Sequence, residues 1–183
     1  MAEFPDDKEI LEQFNHPSTR ESAFTTLIKK YQVRTYWHIR RIVVEHEDAN
    51  DVMQNVFIKL WNNLDKFRES SSLFTWIYRI TTNECMSFLE LQRKRQAASL
   101  SDPDTGLANK VMADANFDGK KLEWKLQMAI QQLPEKQRVI FNLRYFDELT
   151  YEQISEILGT SAGGLKANYY HAAKKIEEFI LNN

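Results

Sequence analysis

The 183-residue sequence predicts an all-α protein made of two small helical domains joined by a flexible linker. Apolar residues recur at helical spacing in long segments over most of the chain, and 5 Gly and 4 Pro are too few for a turn-rich β architecture. Periodicity fails in one long tract, Gln96–Gly119, where Ser, Asp, Pro and Gly collect in a mildly acidic stretch. The expected division is therefore residues 1–95, a linker 96–119 with a short transient helix near Leu107–Ala113, and residues 120–183.

Taken in order, Asp7–Phe14 is a short amphipathic start that ends near His16-Pro17, and Ser18 or Thr19 is placed to cap the next helix. That helix runs through Ala23, Leu27, Tyr31 and Trp37 to Val44, with a basic shoulder at Arg34, Arg40 and Arg41; acidic His46-Glu47-Asp48 is expected to break it. On a helix over Asn50–Leu64, Val52, Met53, Val56, Phe57, Leu60 and Leu64 cluster on one side. Asp51, Gln54, Asn55, Ile58 and Asn62 share the other. Acid and amides around one isoleucine suit a docking face for a protein, and equally suit an ordinary solvated face with one stray apolar residue.

The polar loop Leu64–Ser72 is interrupted by Phe67 and leads into a helix over Leu73–Leu89 that is rich in aromatics. Most aromatics on a helix are core. Mixed with Arg79, Asn83 and serines, they also suit unstacked single-stranded bases, which stack on rings and bond through their edges. Trp76 and Tyr78 cannot face the same core, so one of them, with Arg79, is expected outside. Gln92–Arg95 closes the segment with a basic cluster; helices over Leu122–Gln132 and Glu135–Phe146 follow the linker.

The last third, Leu149–Ile176, reads as two helices joined by a tight turn. Thr150 with Gln153 forms a capping-box pattern, Gly159 offers a left-handed stop, and Ser161 can cap the next helix. There Leu165, Tyr169, Ala172, Ile176 and Phe179 make one stripe, leaving Gly163, Ala167, Tyr170, His171 and Lys174 opposite, flanked by Lys166 and Asn168. A short helix, a Gly-containing turn and a second helix with a small, polar and basic outer face match a helix-turn-helix that lays its second helix in a DNA major groove. An ordinary helical hairpin with a solvated basic face satisfies the same pattern.

Composition narrows the function. A net charge of −2 excludes a protein that coats nucleic acid through a global field, so any such contact is local. The lone Cys85 cannot pair within the chain and fits a small buried residue in a reducing compartment. No apolar run approaches a membrane span and the first ten residues are acidic, so a cytoplasmic, non-inserted protein is expected. The four histidines lack metal-ligand spacing, and there is no nucleophile–base pairing or Gly-rich phosphate loop; neither catalysis, a cofactor nor a small-molecule substrate is expected.

Two long segments carry a resemblance. DANDVMQNVFIKLW (Asp48–Trp61) with FRESSSLFTWIYRITTNECMSFL (Phe67–Leu89), and LPEKQRVIFNLRYFDELTYEQISEILGTSAGGLKANYYHAAKKI (Leu133–Ile176), resemble the amino- and carboxy-terminal domains of small extracytoplasmic-function RNA polymerase sigma factors. The resemblance implies that Asp51, Gln54, Asn55 and Ile58 dock on the clamp helices of the polymerase β′ subunit, with the β flap as a further polymerase contact. It implies that Phe67, Arg68, Glu69, Ser70 and Ser71 form a pocket for a base flipped from the minus-10 element, with Trp76, Arg79 and Asn83 beside the opened strand. Ser161, Gly163, Gly164, Lys166, Ala167, Asn168, Tyr170, His171 and Lys174 would read the minus-35 duplex, and an anti-sigma factor is the expected regulator. Gly164 stands where the family usually has Thr, Asn168 and His171 where Arg is frequent, and Asn55 where Glu is frequent, so the minus-35 preference does not carry over. A stand-alone regulator, with amino-terminal helices that sense a ligand or dimerise, is the alternative from another class.

Overall fold

The computed structural model describes residues 4–68, 70–98 and 121–182, and the described residues are helical with short connections. Helix α1 (Asp7–Phe14) starts at Asp6, whose carboxylate accepts from the Glu9 N–H at 2.7 Å. It is pinned to α2 (Arg20–Val43) by Tyr31, whose hydroxyl donates to Asp7 at 2.7 Å, and by Lys30, which pairs with Asp7 at 2.9 Å. The expected cap by Thr19 does not form. Its hydroxyl donates back to the Gln13 carbonyl at 2.6 Å, closing the end of α1 instead of opening α2.

The chain turns at Val44, which has φ +73°, a region a β-branched residue rarely occupies. The break therefore falls at Val44–Glu45, and His46-Glu47-Asp48 is not the break but the first turn of α3 (His46–Asn63), where acidic groups favour the positive end of the helix dipole. A single 3₁₀ turn, Leu64–Lys66, leads to the loop before α4 (Leu73–Ala98). Ser72 caps α4, its hydroxyl accepting from the Thr75 N–H at 3.1 Å. The helix continues past the basic cluster, so positions 96–98 assigned to the linker are helical, while 99–119 and the transient helix expected there lie outside the described residues.

The carboxy-terminal group consists of α5 (Lys121–Gln131), α6 (Glu135–Tyr145), α7 (Tyr151–Leu158) and α8 (Ala162–Asn182). Phe141 of α6 stacks on Tyr169 of α8 at 5.6 Å between ring centroids and 12° between planes. The two groups are docked on each other, α2 against α6 and α4 against α7. A single cluster of buried apolar residues runs from Ile10 and Leu27 through Ile77 to Ile140, Ile154 and Leu165, while Ala129, Ile130, Leu133, Phe141, Ala172 and Ile176 form a second.

Candidate nucleic-acid interface

The helix-turn-helix forms as its sequence dictates. The Thr150 hydroxyl accepts from the Gln153 N–H at 3.2 Å and the Gln153 side chain accepts from the Thr150 N–H at 2.9 Å, satisfying two donors that a helix start would leave open. Gly159 ends α7 at φ +63°, a conformation a Cβ would strain, and the Ser161 hydroxyl caps α8 by accepting from the Gly164 N–H at 3.3 Å. Leu165, Ala172 and Ile176 are buried, which turns Gly163, Lys166, Ala167, Tyr170, His171 and Lys174 outward, all exposed. A Cβ at Gly163 would meet nothing within 4 Å, so no packing inside the chain requires glycine there. Asn168 departs from the group. It is half-buried and its amide donates to the Gly164 carbonyl at 2.8 Å, turned toward its own helix.

In the amino-terminal group the loop after α3 brings Phe67 against Trp76, with centroids 5.3 Å apart. Both rings are half-buried; Arg68 and Ser70 are exposed, Ser71 half-buried, and Glu69 lies outside the described residues. Of the two competing aromatics, Tyr78 is fully buried and Trp76 is the outward one. Arg79 is not free outside as expected, because its Nε donates to the Glu156 carbonyl of α7 at 2.9 Å. Asn83 is exposed. On α3 the separation of faces holds: Val52, Val56 and Leu60 are buried while Asp51, Gln54, Asn55 and Ile58 are exposed, Ile58 at 52%.

Sequence reasoning missed the residues where the two groups meet. Asp147, on the α6–α7 turn, is 7% exposed, and His38 Nδ1 lies 2.9 Å from its Oδ2 across 109 residues of sequence. The other ring nitrogen of His38 pairs with the Thr82 hydroxyl at 3.0 Å. Arg41 approaches the other carboxylate oxygen at 3.4 Å, as does the Tyr78 hydroxyl. Burial, and next the Asp147 charge, push the Tyr78 phenol well above its usual value. Arg138, also buried, has its guanidinium pulled down by desolvation. A histidine inside an otherwise apolar run, Trp37-His38-Ile39, is the one trace of this network in the sequence.

These surfaces define a class first: a helix-turn-helix protein whose second helix presents a small, basic outer face. Residues 27–95 match the model of sigma-70 region 2, and residues 123–176 match sigma-70 region 4. The chain is 30% identical over 168 residues to the ECF RNA polymerase sigma-E factor of Escherichia coli strain K12, covering 87% of each. It is 29% identical over 182 residues to the RNA polymerase sigma-H factor of Pseudomonas aeruginosa, covering 95% of this chain and 93% of the relative. Its fold is similar to that of the sigma factor RpoE of Bartonella quintana, solved with the anti-sigma factor NepR, at a TM-score of 0.65 and 21% identity over 86% of this chain and 96% of that one. The chain belongs to the extracytoplasmic-function group of the sigma-70 family, and as such directs transcription initiation. Among the described residues no helix is long and apolar enough to cross a membrane, and no group of three metal-binding side chains occurs.

Proposed function

We propose that the chain binds core RNA polymerase through the exposed face of α3, reads a minus-35 duplex with α8 and holds the opened minus-10 strand at the Phe67–Ser71 loop. The observation that carries this reading is the outer face of α8, where Gly163, Lys166, Ala167, Tyr170, His171 and Lys174 are all exposed on a helix whose opposite side is buried core. Small residues let the helix approach the groove, and lysines meet phosphates. Ser161 and Asn168 act mainly within this frame, as cap and as brace of the first turn of α8, with Gly164 between them.

At the loop, the half-buried Phe67 and Trp76 rings offer stacking surface to an unpaired base, with Arg68, Ser70 and Ser71 on the same loop and Asn83 further along α4. Capturing the base offsets a few kcal/mol of lost stacking, which shifts melting without hydrolysis. A shallow apolar groove of about 380 Å³ between α6 and α8, lined by Phe141, Tyr145, Tyr169, Ile176 and Ile180, suits the polymerase β flap. An anti-sigma factor, the kind of partner solved with the Bartonella quintana relative, is the expected regulator, and the place of action is the cytoplasm.

The test is reconstitution. The chain added to bacterial core polymerase should co-elute with it and make thymines of a selected minus-10 element reactive to permanganate. Well-folded chain that fails to co-elute with core from a close source would overturn the reading.

A further inference from the structure

The exposed face of α8 holds few side chains able to identify a purine. In a major groove guanine and adenine are told apart by paired hydrogen bonds, guanine above all by arginine, and α8 carries no arginine anywhere in Ala162–Asn182. The polar groups of its first turns are committed elsewhere. Asn168, the residue type that pairs with adenine, is half-buried and its amide donates to the Gly164 carbonyl at 2.8 Å. Lys166 leans back on α7, its Nζ 5.7 Å from the centre of the Tyr151 ring, and Lys175 donates to the Gln137 side chain of α6 at 3.1 Å. His171 is exposed beside Tyr170, with 5.7 Å between ring centroids. One imidazole edge gives a base a single hydrogen bond, not the pair that identifies a purine.

The middle of that face is apolar. Gly163, Ala167 and Tyr170 follow one another at one-turn intervals, and Tyr170 is 64% exposed. Nothing in the chain lies within 4 Å of where a Cβ on Gly163 would stand, so the backbone itself can approach DNA and bring the Ala167 methyl and the Tyr170 ring against base edges. An apolar group in the major groove has one counterpart among the four bases, the C5-methyl of thymine. Three residues of helix rise about 4.5 Å, against about 3.4 Å for one base step, so the two side chains reach neighbouring base pairs.

We propose that Ala167 and Tyr170 are the specificity-determining residues of α8, and that they select two neighbouring thymines of the minus-35 duplex by apolar contact with their methyl groups, leaving guanine unread. The inference rests on the reading of α8 as the minus-35 helix and deepens it. Lys166 and Lys174 then hold the helix to phosphates of any sequence, and the two apolar contacts supply the choice.

The experiment uses holoenzyme, the full chain with bacterial core polymerase, and selects tight binders from randomised duplex DNA. The upstream element recovered should contain two adjacent thymines on one strand. That duplex is remade with deoxyuridine at one thymine at a time, which keeps the base pair and removes only the methyl. Loss of one buried methyl should weaken binding about fourfold and loss of both about fifteenfold, whereas 7-deazaguanine at the guanines of the element should leave binding unchanged. Ala167→Gly should abolish the effect of uracil at one of the two thymines and Tyr170→Ala at the other. Both variants should still co-elute with core and bind the selected duplex, which a misfolded chain would not. Uracil without effect overturns the proposal, as does 7-deazaguanine that weakens binding about fivefold or more, the size of a guanine contact. A uracil penalty that persists unchanged in both variants overturns it too, because other side chains or the shape of the duplex then report the methyls. Recovery of no upstream element refutes the reading of α8 as the minus-35 helix, and the proposal falls with it. An element that is recovered but ignores uracil leaves that reading standing and overturns the proposal alone.

Discussion

Replacing Ile58 tests the proposed polymerase face with a magnitude that follows from its exposure. Complete burial of an isoleucine side chain is worth about 1.5–3 kcal/mol, and Ile58 is 52% exposed, so a partner that covers it removes about half of that area from water, or about 0.8–1.5 kcal/mol. Ile58→Ala forfeits most of this and should weaken core binding by about threefold to tenfold. Ile58→Asp adds a carboxylate desolvated without a partner, at about 1–3 kcal/mol more, for a combined loss of about 20-fold to 2000-fold. Because the side chain projects from the exposed side of α3, both variants should melt within a degree or two of wild type. The assay is a titration of fluorescently labelled chain with core polymerase, read by anisotropy. A folded Ile58→Asp chain within about threefold of wild type would remove α3 from the docking surface, because no desolvated interface tolerates that charge at its centre.

On α8, Lys166→Ala with Lys174→Ala should lower the steepness of log affinity against log salt for minus-35 duplex by about 1.8, two phosphates at about 0.9 each; an unchanged slope means neither lysine meets a phosphate. Thr150→Ala removes one half of the capping box and should destabilise the carboxy-terminal domain by about 1 kcal/mol in urea unfolding, whereas an unchanged midpoint would assign the start of α7 to packing alone. Two phenols predict an alkaline limit. Burial foremost, with Asp7 beside Tyr31 and Asp147 beside Tyr78, raises both above the ordinary 10.0, so the folded chain holds these protons more tightly than the unfolded one. Their stabilisation is complete below that value and declines as pH rises through the raised folded values, so unfolding free energy should fall between about pH 9 and about pH 11 and fall less steeply in Tyr31→Phe; identical slopes would refute the assignment.

What the sequence disclosed follows the reach of each interaction. The capping box, the Gly159 stop and the two faces of α3 and α8 depend on residues within a few positions of one another, where spacing alone specifies the contact. Thr19 failed as a cap because a competing acceptor, the Gln13 carbonyl, lies across a tight turn, and propensity does not choose between a helix that begins and one that ends. Arg79 was misplaced for a stronger reason. Its partner is 77 residues away on α7, and no periodicity connects them. The same holds for His38 and Asp147: a histidine in an apolar run hints at a buried polar partner, but nothing local points to one 109 residues away. Family resemblance assigns roles to exposed faces of separate domains and is silent on how those domains rest together before any partner arrives.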